Sequence, residues 1–223
     1  MVNLIKNKGV IKMTQHITVN EQSSIRIDAG KIIYSDPFHI SGSPNDADIV
    51  LLTHEHFDHF SPKDIKKVAK EDTYFILPKS MKPAFEKAGL GGYSVSYLSP
   101  DEKTEVLGIT IEAVPAYNKL KPFHPKHNGW LGYVVDACGE RIYICGDTDD
   151  TKEGRSVKCD IVCVPIGGTF TMTAAQAAEF VRALSPKAAI PIHYGTIVGK
   201  PSDADAFEKA LAGSLKVVRK IDL

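Results

Sequence analysis

The sequence predicts a mixed α/β (α+β) chain folded as a four-layer αββα sandwich, two β-sheets face to face with helices outside. Three observations point there. Short apolar, β-branched runs cluster in both halves of the 223 residues. Helix signals are interspersed among the strands of each half. Four of the apolar runs also end in loops of polar, chemically able residues, as if several strands delivered their ends to one place.

The first half opens with strands expected at 17–19, 24–28 and 31–35, separated by Gly and polar turns in a meander rhythm. Residues 49–52 form the next apolar run. Ser61-Pro62-Lys63-Asp64 then supplies an N-cap, a proline at the first helical position and an acidic N3 residue, so a helix should run to about Lys70. A strand at 74–77 and a helix at about 80–88, stopped by Gly89, lead to strands at 94–98, 105–107 and 109–114. The segment 115–129 is rich in Pro, Lys, His and Asn, and loops of that length in compact domains are usually functional. Strands at 130–136 and 141–145 flank a tight Ala-Cys-Gly-Glu turn, after which Gly-Asp-Thr-Asp-Asp breaks regular structure. Next come a strand at 161–165, a helix at 174–184 capped by Thr173 with Gln176 at N3, and a strand at 188–191. A helix from about Asp203 and a strand at 215–219 close the chain.

One domain covering 14–223 accounts for all of these elements, and residues 1–13 read as a dispensable leader. Twenty-seven basic side chains balance 27 acidic ones, so overall charge draws the chain to neither nucleic acid nor anionic lipid. No apolar stretch approaches the roughly 20 residues that span a bilayer, and the N-terminus lacks the apolar core of a secretion signal. A cytoplasmic location and a small-molecule partner are the resulting expectations; assembly into a homo-oligomer stays open. The four cysteines show no CxxC spacing and read as reduced core residues.

The densest chemistry lies directly after the apolar run ending at Leu52. Residues 53–60 read THEHFDHF and put His54, His56, Asp58 and His59 within six positions. Imidazole and carboxylate are ligands that divalent zinc, manganese or iron accept. In an extended segment His54 and His56 point the same way, and Asp58 and His59 follow around the turn, so one loop can serve two adjacent ions. Later strands end in the same manner, at Gly146-Asp147, Ile166-Gly167-Gly168 and His193-Tyr194-Gly195. If these loops share one edge, Asp147 can bridge two ions and His193 can complete the second site.

HEHFDH at 54–59, CGDTD at 145–149, PIGG at 165–168 and PIHYGT at 191–196, in this order and separation, resemble the metallo-β-lactamase-fold hydrolases, in particular the branch of ascorbate-6-phosphate lactonase and related small metal-dependent hydrolases. The resemblance covers nearly the whole chain from about Thr18. It implies the αββα sandwich of that superfamily, with His54 and His56 on a first metal, Asp58, His59 and His193 on a second, and Asp147 on both. One ligand departs from the pattern. Where the family places a further first-site histidine, this chain has Asn118, leaving His124 or His127 of the same loop to fold back as a replacement.

The implied cofactor is one or two divalent ions, zinc first, with manganese or iron as alternatives. The implied reaction is hydrolysis of a small ester, lactone or phosphoester by a metal-activated hydroxide that Asp58 orients, with Asp58 and His59 as catalytic residues. Asn118, Lys121, His124 and Tyr194 are the expected substrate contacts, and the lysines at 119, 121 and 126 favour an anionic substrate. Asp36 is either a turn former or a carboxylate behind a ligand histidine. Two competing classes share the fold: a phosphodiesterase or nuclease, and a non-hydrolytic iron-binding redox protein. His56 argues against the second, since the di-iron oxygen reductases commonly carry glutamate at that position.

Overall fold

The structure is a computed structural model that describes residues 14–222, so the expected leader lies outside the described residues. Six strands pair in chain order to form the first sheet: β1 (Ile17–Val19), β2 (Ile25–Asp28), β3 (Ile32–Ser35), β4 (Ala47–Leu51), β5 (Ala69–Pro78) and β6 (Ser94–Leu98). The first three form an antiparallel meander and the last four run parallel. Helices α1 (Pro62–Val68) and α2 (Lys82–Lys87) make two of the three crossovers that parallel pairing requires, and residues 36–46 make the one from β3 to β4 without a helix. The second sheet runs β13-β12-β11-β10-β9-β8-β7. Its members β7 (Lys103–Val106), β8 (Ile109–Pro115), β9 (Leu131–Ala137) and β10 (Glu140–Ile144) are antiparallel, whereas β11 (Ile161–Pro165), β12 (Ala188–Ile192) and β13 (Lys216–Val217) continue parallel to β10.

The period of two along a strand separates two cores. From Ile49 on, Ile49 and Leu51 join the core shared with the second sheet, while Val50 and Leu52 face the core under α1 and α2 with Ile65, Val68 and Phe85; a register irregularity between Ala47 and Ile49 puts Ala47 on the helix side too. A strand buried on both faces must be apolar throughout, which is why this segment reads as a continuous run. On the far side, α4 (Ala174–Leu184) buries Ala174, Ala177, Ala178, Val181 and Leu184, the one-face spacing of an amphipathic helix, and Thr173 and Gln176 close its capping box. Helix α5 (Pro201–Leu211) buries Ala204, Phe207 and Leu211 in the same way.

Three departures from expectation have local causes. Helix α1 stops at Val68 because Ala69 already pairs with Ala47, and the Lys70 N–H is held by the Thr73 hydroxyl at 2.8 Å; β5 therefore starts earlier than expected. A further helix, α3 (Lys152–Ser156), follows the Asp-rich break; it starts at the Thr151 cap, and its Gly154 lies so close to Phe180 that a Cβ would sit 3.0 Å from the ring. The hairpin joining β9 to β10 turns on Cys138 and Gly139, both at positive φ, which leaves Cys138 exposed rather than in the core. Among the described residues no helix is long and apolar enough to cross a membrane.

Candidate metal centre

Each contributing loop leaves the C-terminal end of a strand, β4 in the first sheet and β8, β10 and β12 in the second. Two hydrogen bonds staple the sheets there: Leu131 N donates to Thr53 O at 3.1 Å, and the buried Tyr133 hydroxyl donates to Leu52 O at 2.7 Å. Backbones approach closely enough to require glycine. A Cβ on Gly146, which sits at φ +63°, would lie 2.9 Å from Leu131 O, and one on Gly167 would lie 2.4 Å from His193 O.

The loops bring together three groups whose ligand atoms lie within 4.8 Å of one another: His54, His56 and His124; His54, His59 and Asp147; Asp58, His59 and His193. Asp147 sits between the two ends. Its Oδ2 is 3.1 Å from His193 Nε2 and 3.3 Å from His124 Nε2, and its Oδ1 is 3.4 Å from His59 Nε2. Asp58 Oδ2 is 3.3 Å from His193 Nε2 and 3.6 Å from His59 Nε2. Ligand atoms around a tetrahedral ion with bonds near 2.0–2.1 Å stand roughly 3.3 Å apart, so the spacing suits such an ion.

These separations are charge contacts rather than aligned hydrogen bonds. His59 Nε2, His124 Nε2, His193 Nε2 and Asp147 Oδ1 are all buried and without a hydrogen-bond partner. Leaving one such group unsatisfied costs about 1–3 kcal/mol, and four converging on one spot mark a candidate cation site. The residues can hold one or two divalent ions.

Most outer nitrogens are fixed from behind. Asp36, fully buried, accepts from His59 Nδ1 at 2.7 Å, from Thr53 N at 2.8 Å and from the Thr53 hydroxyl at 2.6 Å. Having donated its proton to Asp36, that hydroxyl accepts from His54 Nδ1 at 3.0 Å. One carboxylate thus orients His59 directly and His54 through Thr53, so the turn that Asp36 makes and its place behind ligand histidines coexist. Asn118 does the same for His124. Its amide donates to Phe170 O at 2.9 Å, which turns Oδ1 toward His124, and Oδ1 accepts from His124 Nδ1 at 2.9 Å and from its backbone N–H at 3.2 Å. His193 is held through its backbone, at φ 56°, by a bond from its N–H to Gln22 O at 2.9 Å.

Charge and burial oppose each other at these groups. Burial, then His59, keeps the His54 imidazole well below its usual pKa, so it presents a neutral lone pair. Burial also depresses His193, but Asp147 and Asp58 outweigh it and raise its pKa to about 10. Burial pushes Asp147 up, yet His193 and His59 hold it well below the carboxylate range, so it stays anionic.

His124, expected as a substrate contact or a substitute ligand, stands with His54 and His56, whereas His127 does not join any of the groups. Asn118 is buried behind His124 rather than facing the cavity. Lys121 is tied to Asp149 at 2.6 Å and to the Thr171 carbonyl, and Lys126 to Glu153 at 2.6 Å; neither lines the cavity. Tyr194 is buried, 1% exposed, and also away from it. Residues with no sequence signal complete the centre. Trp130 packs its ring 4.9 Å from both His54 and His56, and Gln22 lies more than 170 positions from the histidine whose backbone it anchors.

Comparison with known proteins agrees with this geometry. The model of the beta-lactamase superfamily domain matches residues 16–193, from the first strand to the last candidate ligand. A UPF0173 metal-dependent hydrolase of Pyrococcus abyssi is 30% identical over 86% of this chain and 90% of its own, and one of Thermoplasma acidophilum is 33% identical over 75% and 74%. A solved protein of Parabacteroides distasonis, provisionally assigned as a metal-dependent hydrolase, is 32% identical with a TM-score of 0.77 over 92% of this chain and 93% of that one. These relatives do not single out the ascorbate-6-phosphate lactonase branch that the motifs resemble. With sandwich, constellation and relatives in agreement, the chain belongs to the beta-lactamase superfamily, alongside the UPF0173 metal-dependent hydrolases.

Proposed function

We propose that the chain is a metal-dependent hydrolase of a small ester, lactone or phosphoester, with zinc as its ion and manganese or iron as substitutes. The observation that carries this is the convergence of buried, unpartnered His59, His124, His193 and Asp147 atoms beside a cavity of about 240 Å³. His54, His56 and His124 would hold one ion, Asp58, His59 and His193 the other, and Asp147 both. His124 takes the place of the histidine missing at position 118. When bound, the ions supply Lewis acidity toward water and toward the substrate oxygen.

The chain's own residues do the rest. Asp58 opens onto the cavity, so its carboxylate can orient the attacking water and receive its proton. His193 and Asp147 line the same cavity, and Trp130 packs against His54 and His56, shielding those imidazoles from water. The nucleophile therefore attacks from a fixed direction, a gain in orientation rather than in basicity.

The test is a purified protein stripped with chelator, reloaded with zinc, manganese or iron, and assayed on esters, lactones, sugar phosphates and a chromogenic phosphodiester. Turnover that appears on loading and is lost in Asp58→Ala and His59→Ala is the expected result. Full activity in the stripped protein, or activity and metal content that survive both substitutions, would overturn the assignment.

A further inference from the structure

We infer that the chamber over the centre selects a substrate whose far end is an uncharged apolar group, aliphatic or aromatic, and discriminates against one bearing a second anionic group there. The inference rests on the hydrolase reading and narrows its substrate class. Apart from candidate ligands, the cavity is walled by Phe57, Phe123, Phe170, Ile197 and Val198, with no lysine or arginine lining it among the described residues. Large apolar side chains scattered singly on a surface mean little, but here they surround one opening. Phe57 is 67% exposed, and Phe123 and Ile197 are 41% exposed each.

These walls are organised rather than accidental. Phe123 meets Phe170 edge to face at a centroid distance of 4.7 Å, which joins the long loop to the one after β11; Phe57 meets Phe38 edge-on at 6.3 Å. The Asn118 amide ties the same two loops through Phe170 O, so the device that orients His124 also sets this wall. The lysines that made an acidic substrate attractive are engaged elsewhere. Lys121 pairs with Asp149, Lys126 with Glu153 and the Tyr117 ring, and the exposed Lys119 does not line the chamber. A phosphate or carboxylate at the far end of the substrate would lose its water against phenyl and aliphatic surface and find no cationic partner. Among the described residues the lining offers no cation besides the candidate histidines, which the metal and the reacting group would engage. At about 240 Å³ the chamber falls below the roughly 300–1,000 Å³ of drug-sized pockets, so the accepted group is small.

The experiment compares 4-nitrophenyl butyrate with the 4-nitrophenyl monoester of succinate on the zinc-loaded full chain, whose reacting ends are alike and whose far ends differ in charge. We expect kcat/KM to favour the butyrate by at least ~10-fold. Phe170→Lys should narrow or reverse that ratio with metal content unchanged, and Ile197→Ala should lower kcat/KM for the butyrate alone. A second measurement does not depend on turnover. Butyrohydroxamate and succinic monohydroxamate are titrated into the loaded protein, read by the fluorescence of Trp130, the chain's single tryptophan, which lies against His54 and His56. Tighter binding of the butyro compound is the expected result. Equal or preferred handling of the succinate compounds overturns the inference while leaving the hydrolase intact. If neither ester is cleaved and no lactone or phosphoester is either, the hydrolase reading fails, and the hydroxamate ranking still decides what the chamber prefers.

Discussion

The two ends of the candidate centre are built differently. His54, His56 and His124 are all imidazole, His56 is half-buried, and His124 is delivered by a long loop and oriented by a neutral amide. Asp58, His59 and His193 are all buried, include a carboxylate, and have His59 braced by the buried carboxylate of Asp36. An anionic ligand and an anionic brace both raise the pull on a cation, so the second end should bind more tightly. The first end, whose own three ligands are neutral apart from the shared Asp147 and are partly loop-borne, should be the adjustable one. In the proposed assignment position 118 needs no histidine, because Asn118 steers its neighbour on the same loop, His124, toward His54 and His56.

The harshest challenge to this contrast is Asp147→Ala, which touches both ends. Metal analysis should find neither ion retained, with activity falling beyond the ~100-fold that marks loss of a residue merely orienting a ligand. Retention of one ion with activity within tenfold of the parent would break the bridging role. Next in size, His193→Ala should abolish the tight ion, whereas His124→Ala should leave one ion per chain; identical stoichiometry in the two variants would erase the distinction. Among the braces, Asp36→Asn should weaken metal affinity by roughly 10–100-fold and Asn118→Ala by about tenfold, confined to the looser ion. Competition with a chelator, followed through Trp130 emission, measures both.

The smallest effect is in pH. In the metal-free protein His193 has its pKa raised to about 10 by Asp147 and Asp58 against burial. A raised folded-state value stabilises the fold fully below the unfolded histidine value near ~6.5, and the contribution is lost as pH rises through about 10. Denaturant melts of stripped protein between pH 6 and 10 should therefore lose stability with rising pH, and His193→Gln should flatten the slope. Metal must displace the same proton, and any carried by His59, where burial lowers the pKa but Asp147 and Asp36 outweigh it, so loading near pH 7 should release at least one proton at the tight end, readable with an indicator dye.

Much of this was legible in the sequence. The continuous apolar run 49–52, the Ser61 cap and the Thr173 capping box all mark elements that formed, because each signal is local. His54, His56, Asp58, His59, Asp147 and His193 do converge, since residues at strand ends are carried by the sheets that the strands build. What was not legible depends on distance or on pairing. Lys121 reads as a free positive charge until its folded neighbour Asp149 is known. Gln22 carries no signal for the backbone of His193. Helix α3, five residues with Gly154 at its middle, has no apolar period to detect and forms because its Thr151 cap and the face of Phe180 receive it.

The β9–β10 hairpin offers a practical consequence. Cys138 sits exposed at its turn, whereas Cys145 and Cys163 are buried and Cys159 is partly covered, with burial pushing the last two thiols up to about 12. The turn begins β10, and Asp147 follows the other end of that strand. A maleimide dye or surface tether should therefore attach at one known point, across the sheet from the chemistry, so the molecule can be immobilised or watched while its working face stays open.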